Sequence, residues 1–146
     1  MIGPVFISAA VLLLAVFSAW KPHGAYFGPS TPTLHHGTTA DAYAFAVSIP
    51  NSRVIPISTN EVYSSMGSNI ALGDLVIAVP RSYTGLHRWD IALRTGIFGA
   101  HLVVHRLTRL TRDGWITEGD ANLAPDKPPM TEADYRGLVI TDTFRP

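Results

Sequence analysis

A serine, a histidine and two aspartates stand in an order that supports hydrolysis: Ser65, His105, Asp120 and Asp126. A serine hydroxyl is a weak nucleophile until a neighbouring base takes its proton. The base, in turn, needs a carboxylate to fix its tautomer. Ser58, Ser64 and Ser68 crowd the same region, and Ser64 is the immediate rival as nucleophile. The chain has no cysteine, which excludes a thiolate nucleophile, a disulfide and a cysteine metal site. His35-His36 has no carboxylates or further histidines at ligand spacing, so it reads as an exposed polar turn. No metal and no cofactor is expected.

The elements that must position these groups read as strands. Leu75–Val79 is a short apolar run closed by Pro80, and Asp90–Arg94 lies between Gly85 and Gly96. Leu102–Leu110 and Trp115–Thr117 alternate, and Asp113-Gly114 between them is a strong hairpin signal. A two-residue turn there would pair Arg112 with Trp115, Leu107 with Asp120 and His105 with Asn122. His105 would then share an apolar face with Val103 and Leu107, and Asp120 would lie diagonally across from it. A histidine so placed, with an acid beside it, is an oriented base. No segment of helical period follows residue 21, so the expected fold class is mainly β, largely antiparallel.

Ahead of this region lie two segments of different character. Ile2–Trp20 carries no charge, and about 19 helical residues span roughly 28 Å, enough to cross a hydrocarbon core. Trp20 and Lys21 sit where interfacial anchors sit. The expectation is a single-pass anchor over residues 1–20, with the lipid bilayer as a partner. Residues 21–58 are punctuated by proline and glycine too often for helices and read as an extracytoplasmic connector. Within it Ala44–Ile49 and Arg53–Ile57 read as short strands, the second pushed to an edge by Pro56. Residues 59–146 then make the catalytic β domain. Net charge is zero and the sequence pI is about 7.0, so nothing favours nucleic acid.

Five local words in order resemble the signal peptidase I family, in its serine–histidine branch of archaeal and endoplasmic-reticulum type. Ser65-Met66, with Ile70 and Gly73-Asp74 after it, matches the family's serine box. Trp89–Arg94 resembles the next strand, and Val103-Val104-His105-Arg106-Leu107 the segment whose histidine replaces the bacterial lysine. Ile116–Asn122 with Pro125-Asp126 resembles the acidic box, and Gly137–Ile140 the closing strand. The likeness spans about 80 residues. The chain departs from it at Tyr63, at Ser64, and at Ser68-Asn69, where the family has Pro-Thr.

The resemblance implies a signal-peptidase-like coiled antiparallel sheet behind one transmembrane helix. It implies Ser65 as nucleophile, His105 as general base, and Asp120 or Asp126 orienting His105 or holding the site together. The Ser65 backbone N–H would serve the oxyanion hole. The implied reaction is cleavage of exported precursor proteins after a small-x-small sequence at the membrane surface, with accessory membrane subunits as further partners. Activity would fall as pH drops through the ordinary histidine range. The alternative is a scaffold of the same fold that no longer cleaves, a membrane-tethered binding or assembly component.

Overall fold

A computed structural model of the chain describes residues 32–57, 65–96, 99 and 101–146. The expected anchor Ile2–Trp20, together with Tyr63 and Ser64, lies outside them. Among the described residues no helix is long and apolar enough to cross a membrane. Among the described residues, runs rich in aliphatic and β-branched side chains form seven strands. These are β1 (Thr33–His36), β2 (Arg53–Pro56), β3 (Leu75–Val79), β4 (Ile91–Thr95), β5 (Leu102–Thr111), β6 (Gly114–Glu118) and β7 (Tyr135–Arg145). They join one curled sheet in the order β2-β3-β7-β4-β5-β6, while β1 runs parallel to β7. The other pairings are antiparallel. The fold is therefore mainly β.

The long β7 organises the rest, pairing with β4 through Tyr135–Val139, with β3 as far as Phe144 and with β1 at its end. Residues assigned by sequence to a connector thus supply β1 and β2 to the same sheet. Arg53–Pro56 does take an edge, as its proline requires. Two expectations need correction here. Thr39–Val47 is a helix, α1, so Ala44–Val47 is not strand. Thr38 and Asp41 close a reciprocal capping box, with Thr38 N–H donating to Asp41 Oδ2 at 2.6 Å and Asp41 N–H to Thr38 Oγ1 at 3.3 Å. Ala40, Ala42, Ala44 and Ala46 supply the propensity, and Ala42 and Ala46 bury against Leu75, Ile77 and Phe144. His35 lies in strand β1, not in a turn. It bonds Asp142 at 2.6 Å and stacks on Phe144.

The strands β4, β5 and β6 separate two apolar clusters. Ala92, Leu107, Trp115, Leu86 and Met130 fill one face. Ile91, Leu93, Val104, Met66 and Ile70 fill the other, together with Val76, Ala78 and Val139. The β5–β6 register differs from the sequence expectation. Thr111 pairs with Gly114, so Arg112-Asp113 makes the turn, one residue early, and a bulge follows between Leu107 and Arg109. Thr111 Oγ1 donates to the Gly114 carbonyl at 2.8 Å, which closes the turn there. Gly114 is required for close approach, because a Cβ on it would sit 2.4 Å from the Met130 carbonyl oxygen.

Candidate active site

That register decides which groups meet His105. Thr117 pairs with Leu107 and Ala92 with His105, so His105, Leu107, Thr117 and Arg94 share the front face of β4–β6. The backbone turns back after β6, and Asp126 N–H donates to the Thr117 carbonyl at 2.8 Å. This contact brings the Asp126 carboxylate beside the imidazole. His105 Nδ1–H donates to Asp126 Oδ2 at 2.6 Å, and Ser65 Oγ–H donates to His105 Nε2 at 2.8 Å. The tautomer follows from the partners. A carboxylate can only accept, so Nδ1 carries the proton and Nε2 is free to take one from Ser65. His105 is buried and Ser65 is half-buried.

Ser65 reaches this position because β6 leaves β5 at Glu118, freeing the edge beyond. Ala121 N–H donates to the Ser65 carbonyl at 2.8 Å. Gly119 makes the approach possible, since a Cβ there would fall 2.4 Å from the Ser65 carbonyl oxygen. Met66 and Ile70 anchor the serine turn in the rear cluster. At the far end of this segment the buried Asp74 accepts from Ala71 N–H at 2.8 Å and from both arms of Arg145, at 2.7 and 2.8 Å. The serine-bearing segment is thereby tied to β7.

Asp120 does not meet His105, and the diagonal pairing expected of it is corrected. The early turn and the bulge rotate it to the rear face, where Arg106 points. Arg106 Nε and Nη2 donate to its two oxygens at 2.8 and 2.9 Å, with both side chains almost fully buried. Asn69 Nδ2 adds a third bond to Asp120 Oδ2 at 2.8 Å. Arg106 Nη1 also donates to the carbonyl of Trp89 at 2.9 Å. Trp89 has φ of 81°, a conformation that L-residues hold only when their surroundings over-determine it. Asp120 is therefore held by Arg106 and Asn69, and Asp126 is the carboxylate that meets His105.

Two residues of the front face escaped the sequence reading. Thr117 Oγ1–H donates to Asp126 Oδ2 at 2.6 Å, and Arg94 Nη1–H donates to Thr117 Oγ1 at 2.8 Å. Inward alternation of Trp115 and Thr117 marked the threonine, but nothing local marked Arg94. Burial pushes the Asp126 carboxyl up. The hydrogen bond and charge of His105, the Thr117 hydroxyl and the Arg94 charge outweigh burial and hold it below the usual carboxylate range. The chain Arg94–Thr117–Asp126–His105–Ser65 is thus equipped for a serine to lose its proton to an oriented imidazole. A cleft of about 280 Å³ lined by Arg88, Trp89, Thr108 and Glu118 opens on the rear face, beside the Arg106–Asp120 pair. Neither Ser65 nor His105 lines it. Among the described residues no group of histidines and carboxylates could hold a metal ion.

No protein family, curated protein or solved structure matches this chain.

Proposed function

We propose that this chain is a membrane-anchored serine endopeptidase of signal-peptidase type, with a signal-peptidase-like sheet domain. It would cleave exported precursors after a small-x-small sequence. The observation that carries the reading is the relay from Ser65 Oγ through His105 to Asp126, two hydrogen bonds of 2.8 and 2.6 Å in the order that activates a serine. Ser65 Oγ attacks the scissile carbonyl carbon while His105 Nε2 takes its proton. The tetrahedral oxyanion collapses, the C–N bond breaks, and His105 returns that proton to the leaving amine. An acyl ester remains on Ser65. Water then attacks it, giving one proton to His105 and forming the new carboxylic acid, and His105 restores the Ser65 hydroxyl. Asp126 stays ionised throughout and stabilises each transient imidazolium. The apolar Ile2–Trp20 would hold this chemistry at the depth where a precursor's cleavage site emerges from the bilayer.

The test is cleavage of signal-peptide-bearing precursors by the full chain in detergent micelles. Wild type and Ser64→Ala are expected to cleave, and Ser65→Ala to lose at least about 10³-fold in rate. A folded wild type that cleaves none of several precursors would transfer the assignment to a non-catalytic scaffold. Loss in Ser64→Ala alone would move the nucleophile by one residue.

A further inference from the structure

Arg94 is a buried cation for which the proposed peptidase chemistry has no step. Its side chain is only 4% exposed, yet its direct side-chain partner is a neutral hydroxyl, that of Thr117. The nearest carboxylate oxygen is Asp126 Oδ2, 4.0 Å from Nη1. Guanidinium groups are buried at high cost unless a charge offsets them, so this placement calls for a reason. The Thr117 hydroxyl supplies one. It accepts from Arg94 and can then direct its own proton only onward, into Asp126 Oδ2, the same oxygen that accepts His105 Nδ1–H.

We infer that Arg94 is a positioning residue for the relay, acting through Thr117 to keep Asp126 an ionised, correctly aimed acceptor for His105. The inference deepens the peptidase reading and rests on it for its kinetic consequence. Burial alone would favour the neutral acid, which does not fix the imidazole tautomer. A neutral Asp126 would also fail to stabilise an imidazolium. A fixed cation behind the carboxylate opposes both failures. Removing it therefore favours protonation of Asp126, which moves the acid limb of activity to higher pH.

The charged neighbours are few. Asp126 faces His105 from β5 and Arg94 from β4. Arg94 also acts at longer range on Asp134, whose carboxyl is lowered mainly by Thr131. Tyr135 lies opposite Arg94 on β7, and burial pushes its hydroxyl up to about 12, far above the range concerned. Lys127 follows Asp126 in the chain and is exposed.

Two readouts on the full chain in detergent micelles separate this inference from the peptidase reading. One is the rate at which a fluorophosphonate labels Ser65, measured across pH 4 to 8 as a chosen range on either side of the histidine midpoint. The other is the pH midpoint of the downfield His105 Nδ1–H proton resonance, which requires no catalysis. Arg94→Gln is expected to move both midpoints up by about one pH unit, a tenfold loss of labelling rate on the acid limb. Thr117→Val is expected to move them the same way by less, and Arg94→Lys to stay near wild type. A folded Arg94→Gln with unchanged midpoints overturns the inference. If that variant does not fold, unchanged midpoints in Thr117→Val overturn it instead. A wild type that is never labelled defeats the peptidase reading, and the resonance still decides the role of Arg94.

Discussion

His105 and Arg106 are neighbours on β5, and the strand sends them to opposite faces, each to its own aspartate. On the front, His105 shares Asp126 with a hydroxyl and leaves its other nitrogen to Ser65. On the rear, Arg106 takes both oxygens of Asp120, and Asn69 takes one of them again. The rear pair is saturated and almost fully buried. The front pair leaves the second imidazole nitrogen to accept the Ser65 hydroxyl at the edge that β6 vacates. One strand therefore uses the same kind of pair twice, saturated behind and, under the proposed function, poised for proton transfer in front. The difference lies in the imidazole nitrogen that meets a hydroxyl once the carboxylate is satisfied.

The contrast breaks first at Asp126. Asp126→Asn keeps the volume but can present an amide where the imidazole N–H needs an acceptor. The expected kcat for precursor cleavage falls about 10⁴-fold, with most of the fold intact. The same substitution has a signature in acid. Because the folded Asp126 carboxyl is held below its ordinary value, its stabilisation is complete above about pH 4 and is lost as pH falls through the lowered value. Asp126→Asn should therefore flatten the acid side of a stability-against-pH curve measured by thermal melts. An unchanged kcat would end the assignment of Asp126 as orienting acid.

Asp120 should fail in the opposite manner. Asp120→Asn leaves the Arg106 guanidinium buried without its counter-charge, which costs about 3–5 kcal/mol in denaturant unfolding. The fraction still folded should retain kcat within about 10²-fold, since His105, Asp126 and Ser65 keep their direct contacts. A 10⁴-fold kinetic loss with unchanged stability would exchange the roles of the two aspartates.

How much of this was legible in the sequence depended on distance along the chain. The strands at 75–79, 91–95 and 102–111 follow from alternation and from bounding glycines and prolines. The hairpin position follows from Asp113-Gly114. Its register does not, because neither the bulge at Thr108 nor the Thr111 hydroxyl that closes the turn has a sequence signal as strong as Asp113-Gly114. That slip put Asp120 on the wrong face. The helix Thr39–Val47 was hidden because its alternating alanines also fit a strand, although Thr38 and Asp41 carried a cap signal. Ser65 follows from the resemblance of its box to the signal peptidase family, and His105 from that likeness together with its place on an apolar strand face. Arg94 follows from neither, since only the folded sheet reveals which arginine is buried beside a carboxylate.

Asn69 sharpens the comparison most finely, because its side chain links the serine turn to the rear pair. In the family invoked by the proposed function, Pro-Thr stands where this chain has Ser68-Asn69, and proline there fixes φ and stiffens the turn. Ser68-Asn69 lacks that restraint, and the Asn69 amide supplies another by donating to Asp120 at 2.8 Å. Asn69→Ala removes one charge-assisted bond, but Asp120 keeps both bonds from Arg106, so no buried charge is orphaned. The stability loss should then be only about 1 kcal/mol. The kinetic loss should be about tenfold, carried in kcat with KM unchanged, because a loosened turn misplaces Ser65 Oγ relative to His105 Nε2 without altering how a precursor binds. In an Asp120→Asn background the same substitution should cost much less, since its partner has lost its charge. Equal costs in both backgrounds would show that Asn69 acts on the serine turn by another route, and the rear pair would then be a stability device alone.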